Sequence, residues 1–223
     1  MKKWIFRFSI IFNLLVVVLC LGVWFNRDSF VDVFLEQLYA ARVSFFESFP
    51  LGSEDIVMLG DSITHGGEWS EIFPDLPMVN RGIAGDTTNG VLGRLGSIVA
   101  ERPAAIFVKI GTNDLTRGPE RAVSYQQYRE IITRIQKASP QTDIYLQSLL
   151  PREVEFRSEV EAYNQEIRTI SNELGVTYVD LYPAFLDSDG SLRDELTYDE
   201  IHLTGEGYRL WQSLLKSTMA GYR

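Results

Sequence analysis

Cysteine is almost missing from this chain of 223 residues: Cys20 is the only one, and it lies inside an apolar run. The rest of the chain can therefore hold no disulfide, no thiol nucleophile and no thiolate-based metal site. Histidine is nearly as scarce. His65 and His202 are the only imidazoles available for proton transfer. The glycines between Gly60 and Gly67 do not spell G-x-G-x-x-G, and no G-K-[ST] loop occurs, so neither common phosphate-cradling loop is present. Positive charge is also in deficit. The chain carries −9, and setting aside Lys2, Lys3, Arg7 and Arg27 leaves −13 on the remainder. An acidic domain of this kind repels nucleic acid and anionic lipid heads, and nucleic-acid binding is not expected. There is no internal repeat and no low-complexity tract.

Acidic residues are absent before Asp28, where the composition differs from the rest. Lys2, Lys3 and Arg7 precede an apolar stretch from Ile10 to Phe25, interrupted only by Asn13. Counted from Trp4 the segment has about the length of a membrane-spanning helix. Residues 1–27 are expected to form an N-terminal anchor, with the positive flank in the cytoplasm and the following domain exported. A cleaved export signal is the competing reading, although Asn26, Arg27 and Asp28 offer no small-residue cleavage site. Val17-Val18-Leu19-Cys20 departs from a lipidation site, because Leu19 is too bulky before the cysteine. Residues 28–53 follow as an amphipathic linker helix, with Phe30, Val33, Phe34, Leu38, Ala41 and Phe45 at helical spacing.

From residue 54 to 223 one domain is expected, and 45% hydrophobic content is enough for a sizeable core. Strand-like runs at 55–60, 77–80, 104–111, 143–149 and 176–181 alternate with helical runs at 63–72, 87–101, 120–139, 156–174 and 205–219. Pro103, Pro140 and Gly175 each follow a helical run, as helix stops should. Such alternation predicts an α/β fold in three layers, with a five-stranded parallel sheet of flavodoxin-like order 2-1-3-4-5. Polar clusters fall after three of those strands: Ser62, then Asn80-Arg81-Gly82, then Gly111-Thr112-Asn113-Asp114.

The apolar run Ile56-Val57-Met58-Leu59 followed by Gly60-Asp61-Ser62 reads as a buried strand ending in a sharp turn that presents a hydroxyl. A serine is a poor nucleophile without a base. His65 is too near in sequence to face both Ser62 and an orienting acid. His202 has Asp199 three residues earlier, a spacing that lets their side chains meet on one helical turn. Such an acid fixes the imidazole tautomer and supports the imidazolium formed during attack. The expected triad is Ser62, His202 and Asp199. Acyl transfer also needs donors for the developing oxyanion. The N–H groups of Ser62 and Gly82 and the Asn113 amide are the natural three.

With these blocks in order, the sequence resembles the SGNH, or GDSL, hydrolase superfamily over about residues 54–215. The strings Asn80-Arg81-Gly82-Ile83-Ala84-Gly85-Asp86-Thr87-Thr88, Leu150-Pro151-Arg152 and His202-Leu203-Thr204-Gly205 are similar to its platelet-activating-factor acetylhydrolase-like branch. The resemblance implies a serine esterase with a compact pocket for short acyl groups such as acetyl, the site roles given above, and no metal or organic cofactor. The N-terminal segment departs from the cytosolic members of that branch, so their particular substrate does not transfer. An O-acetylated extracytoplasmic glycan is the expected substrate, with lysophospholipase, arylesterase or thioesterase action as the alternative. Two other classes compete: a metal-dependent phosphoesterase using Asp61, Asn113, Asp114, Asp199 and His202, and a non-catalytic glycan-binding module. Outside the triad, Asp61 is expected to brace its turn, Asp86 to cap a helix, Asp114 to brace the Asn113 loop, and Trp69 and Tyr198 to pack, with lining of an acyl or sugar pocket as their alternative. His65 is read as a structural or pocket-rim residue. Arg81 and Arg152 are either salt-bridged or placed to touch substrate. Nothing in the sequence sets the oligomeric state.

Overall fold

The computed structural model describes residues 27–222 together with Phe12, Asn13, Val16, Val17 and Gly22. The expected anchor therefore lies almost wholly outside the described residues. Among these, no helix is long and apolar enough to cross a membrane. The chain divides into two units, residues 1–40 and 41–223, and helix α1 (Arg27–Ser48) runs through the division.

Five parallel strands make the sheet: β1 (Ile56–Gly60), β2 (Met78–Gly82), β3 (Ala105–Lys109), β4 (Asp143–Gln147) and β5 (Thr177–Val179), in the order β2-β1-β3-β4-β5. This is the topology the alternation predicts. The long helices are α2 (Thr88–Val99), α3 (Arg121–Ala138), α4 (Arg157–Leu174) and α5 (Gly205–Met219). A parallel sheet is covered on both faces, so its central strands are apolar at every position rather than alternating. Accordingly Ile56, Val57, Met58 and Leu59 are all fully buried. Val57, Leu59, Ile106, Val108 and Leu146 pack with Val91, Leu95, Ile131, Ile135 and Ile167 of α2, α3 and α4. Ile56, Met58, Ala105 and Phe107 pack with Trp69 and with Trp211 and Leu215 of α5.

Helix α4 stops at Gly175 in the left-handed conformation, φ +67°, where a side chain would be strained. The expected single helix at 63–72 is instead two short turns, Ser62–His65 and Trp69–Ile72. The break follows from competition for the backbone. Trp69 Nε1 donates to Thr64 O at 2.8 Å. Asn80 Nδ2 donates to the carbonyls of Thr64, His65 and Gly67. Those carbonyls are thereby taken from a continuing helix. Helix α1 also differs from its expected packing: Phe45 is 48% exposed and Val33 and Phe34 are exposed, whereas Phe46 is the buried aromatic at 4%.

In register, Gly60 lies opposite both Gly82 and Lys109. The carboxyl ends of β1, β2 and β3 are therefore level, and the polar loops leaving them share one edge. A crevice at the edge where strand order reverses is where folds of this class place their ligands.

Candidate active site

Ser62 opens the turn that follows β1. Asp61 caps that turn by accepting from Ile63 N at 3.0 Å through Oδ1, which is the bracing role its position suggests. A β-carbon at Gly60 would lie 2.2 Å from Thr64 Oγ1 and 2.3 Å from Lys109 O. Only glycine lets the chain turn this tightly against β3.

The hydroxyl meets its base across 140 residues of sequence. Ser62 Oγ lies 2.8 Å from His202 Nε2, and His202 Nδ1 lies 2.7 Å from Asp199 Oδ2. With Asp199 accepting from Nδ1–H, the lone pair of Nε2 faces the serine proton, the arrangement general-base activation requires. The acid and base do not share a helical turn as their spacing suggests. They sit on a bend closed by the antiparallel bridge Thr197↔Leu203, with Glu200 at φ +66°. The other Asp199 oxygen, Oδ1, accepts from the N–H groups of His202 at 2.7 Å and Ile201 at 3.1 Å. Partial burial pushes the Asp199 carboxyl up, but these backbone bonds and the imidazole outweigh it and hold it below its ordinary value. The acid therefore stays ionised beside the ring. Tyr198, 71% exposed, stacks nearly parallel on the His202 ring, 5.9 Å between centroids.

The three expected oxyanion donors differ in readiness. Ser62 N–H is at the start of a helical turn and so has no intrahelical acceptor. Asn113 Nδ2 donates one hydrogen to Asp86 O at 2.9 Å, and its Oδ1 accepts from Arg117 at 2.9 Å. A primary amide carries two hydrogens, which leaves the second for substrate. Gly82 N–H donates to Asn80 Oδ1 at 2.8 Å, so its part in anion binding requires sharing or release of that bond. A β-carbon at Gly82 would come within 2.3 Å of His65 N.

Asp114 braces the Asn113 loop, accepting from Thr88 N at 3.1 Å, Thr88 Oγ1 at 2.5 Å and Ser124 Oγ at 2.9 Å. With Asp61 and Asp114 committed in this way, the carboxylates named for a metal-dependent phosphoesterase do not converge. Among the described residues no cluster of three metal-ligating acids, histidines or cysteines occurs. Arg81 is 4% exposed and donates to Phe49 O at 2.8 Å. Arg152 pairs with Glu153 at 2.6 Å and stacks on Phe156. Trp69 belongs to the core at 1% exposure. His65 is partly buried, and burial first, then Arg42, lowers its pKa.

Asp86 is not the helix cap its position suggests. Thr87 caps α2, and Asp86 is buried in an ion pair with Arg94 at 2.8 Å. Nothing in the sequence marks Arg94 as its partner, because a lone arginine on an amphipathic helix usually faces solvent. Burial pushes the Asp86 carboxyl up to about 6 even beside that guanidinium. The folded state thus holds this proton more tightly than the unfolded chain does. Its stabilising contribution is complete below about pH 4 and is lost as pH rises through about 6. Asp86→Asn removes this titration. Its stability deficit against wild type is expected to widen on acidification from pH 7 to pH 4, by at most about 3 kcal/mol. Urea unfolding at stepped pH reads the difference directly, and a constant or narrowing deficit contradicts it.

A serine, an imidazole and an ionised acid in hydrogen-bond series at the edge of a parallel sheet define a serine acyl hydrolase. The chain belongs to the GDSL-like lipase/acylhydrolase family, whose model matches residues 58–210, and it is an ester hydrolase of that family. Rat platelet-activating factor acetylhydrolase IB subunit alpha1 is 31% identical over 180 residues, covering 74% of this chain and 77% of the relative. A solved Streptococcus pneumonia protein named for platelet activating factor superposes with a TM-score of 0.79 at 24% identity, covering 86% of this chain and 98% of its own. An acetylxylan esterase from Geobacillus stearothermophilus shares the fold with a TM-score of 0.60 at 21% identity, over 75% and 95% of the two chains.

Proposed function

We propose that this protein removes short acyl groups, acetyl foremost, from O-acylated glycans outside the cytoplasm, with Ser62 as nucleophile, His202 as base and Asp199 as orienting acid. In this reading Ser62 N–H, Gly82 N–H and the Asn113 amide hold the oxyanion. Attack by Oγ on the ester carbonyl passes the serine proton to His202 Nε2, which returns it to the departing alcohol oxygen. Water then repeats the sequence on the acyl-enzyme and releases the carboxylic acid. The imidazolium exists only between the two transfers, which is when the Asp199 carboxylate stabilises it most.

The openness of the relay carries the substrate assignment. The His202 and Asp199 side chains are 32% and 41% exposed, and the exposed Tyr198 ring lies beside them. Such a mouth admits a bulky polar alcohol, and an aromatic face suits the apolar side of a sugar ring. Acetyl as the acyl group agrees with the acetylhydrolase and acetylxylan esterase names of the relative and the fold neighbour. Export and anchoring follow from the positive, acid-free N-terminus.

Acid release by the full chain is the test, measured as acetate from acetylated xylan fragments, O-acetylated peptidoglycan and p-nitrophenyl acetate and as fatty acid from a lysophospholipid. The sugar esters are expected to be cleaved with kcat/KM at least about tenfold above the lysophospholipid, a difference of about 1.4 kcal/mol in transition-state binding. Hydrolysis of the aryl ester and lysophospholipid without sugar deacetylation would overturn the glycan assignment and leave the esterase intact. Activity that survives EDTA and is lost to a serine-directed organophosphonate is expected. Loss to EDTA would argue against the triad mechanism.

A further inference from the structure

The end of helix α1 reaches the framework of the oxyanion site. Phe46 is 4% exposed, and three guanidiniums gather on its ring, at 4.8 Å for Arg42, 4.6 Å for Arg81 and 5.7 Å for Arg94. Each then reaches a backbone carbonyl beside an expected oxyanion donor. Arg42 donates to Gly82 O at 3.5 Å, on the residue whose N–H is one donor. Arg81 donates to Asn80 O at 3.2 Å, and the Asn80 side chain holds that same N–H. Arg94 donates to Gly60 O at 3.2 Å, two residues before Ser62. Arg94 also pairs with Asp86, whose carbonyl holds the Asn113 amide.

Three like charges crowd together here, and among the described residues only Asp86 is ion-paired with one of them, Arg94. The aromatic face offsets part of their repulsion, because its quadrupole attracts cations. Burial, first among the causes, holds the Arg81 pKa down at about 10, with Arg42 and Arg94 adding to the effect and Asp55 opposing it. Without the ring, the three guanidiniums have less reason to stay together, and the carbonyls they hold are free to shift.

We propose that Phe46 and Arg42 are positioning residues for the oxyanion hole, so that the chain preceding the hydrolase domain completes its active site. This rests on the assignment of Ser62 N, Gly82 N and Asn113 as the anion donors. The family match begins only at residue 58, so both residues lie outside it.

The test compares full-length wild type with Phe46→Ala, Arg42→Met and, as a control for general loosening, Ile135→Ala. Ile135 is fully buried in the helix layer on α3. A small misplacement of a catalytic group costs up to about 10²-fold. On p-nitrophenyl acetate, Phe46→Ala is expected to lower kcat about 10–100-fold and Arg42→Met about 3–10-fold, each with KM within about twofold of wild type. Ile135→Ala is expected to lower the melting temperature while keeping kcat within about twofold. Wild-type kcat in both folded test variants overturns the proposal, as does an equal kcat loss in Ile135→Ala. Should Phe46→Ala not fold, Arg42→Met alone decides by the same criterion. A wild-type chain without esterase activity, or an Asn113→Ala variant at full rate, would instead sink the site assignment on which the proposal rests.

Discussion

Ser62→Ala is expected to reduce turnover of p-nitrophenyl acetate by about 10⁵–10⁶-fold, a loss comparable to removal of a whole catalytic relay. In the proposed mechanism Oγ forms the acyl-enzyme, and His202 Nε2, 2.8 Å away, takes its proton. What survives is the rate that transition-state binding alone provides, about 10³–10⁴ over water in comparable triads. Stability should change little, within about 1 kcal/mol, because the hydroxyl is only part-buried and alanine suits the start of a helical turn. A melting curve beside the kinetics separates lost chemistry from lost fold. Equal rates for variant and wild type would remove Ser62 as the nucleophile and with it the mechanism.

Asn113 should show the second largest effect. Asn113→Ala is expected to lower kcat by about 10²–10³-fold with KM nearly unchanged. Its Nδ2 is held by Asp86 O and its Oδ1 by Arg117, so the amide is oriented before substrate arrives. Such preorganisation is what makes a donor effective in the transition state. Asn113→Asp should be worse still. It keeps the shape and the Arg117 contact but places a carboxylate where negative charge develops, and it sets that charge against the Asp86 carbonyl. If Asn113→Ala keeps kcat within about fivefold of wild type, the amide does not bind the oxyanion.

The two variants probe parts of the site that differ in how far sequence reading reaches. Ser62, Asp199 and His202 are legible because chemistry restricts them. A serine after a buried strand needs an imidazole, two imidazoles exist, and only His202 is far enough from Ser62 in sequence to face both it and an orienting acid, Asp199. The structure brings the three side chains into contact, although the bend that does so is not the helical turn the spacing suggests. That bend depends on the Thr197↔Leu203 bridge and on Glu200 at positive φ, and neither leaves a pattern in a short stretch of chain.

Buried polar residues are the least legible. Lys109 ends a strand that reads as apolar, yet its side chain is fully buried, with Nζ 5.8 Å from the Trp211 ring centre. Burial holds its pKa down. Arg94 and Asp86 are each unremarkable in the string and become informative only as a pair. Phe46 lies one position from Phe45, the residue its helical period selects. A shift of one residue on a helix turns the side chain by about 100°, so periodicity alone does not decide which of two adjacent phenylalanines docks.

From its residues alone this chain determined the number, order and direction of its strands, because hydrophobic period and turn residues are local signals. It also singled out the candidate nucleophile, base and acid, because few side chains can perform that chemistry. Only the tertiary structure decided which donors are ready for an anion, which charges are buried against one another, and which turn of the leading helix touches the site. Those outcomes depend on distances between segments far apart in the chain, and such distances follow from the packing of the whole sheet.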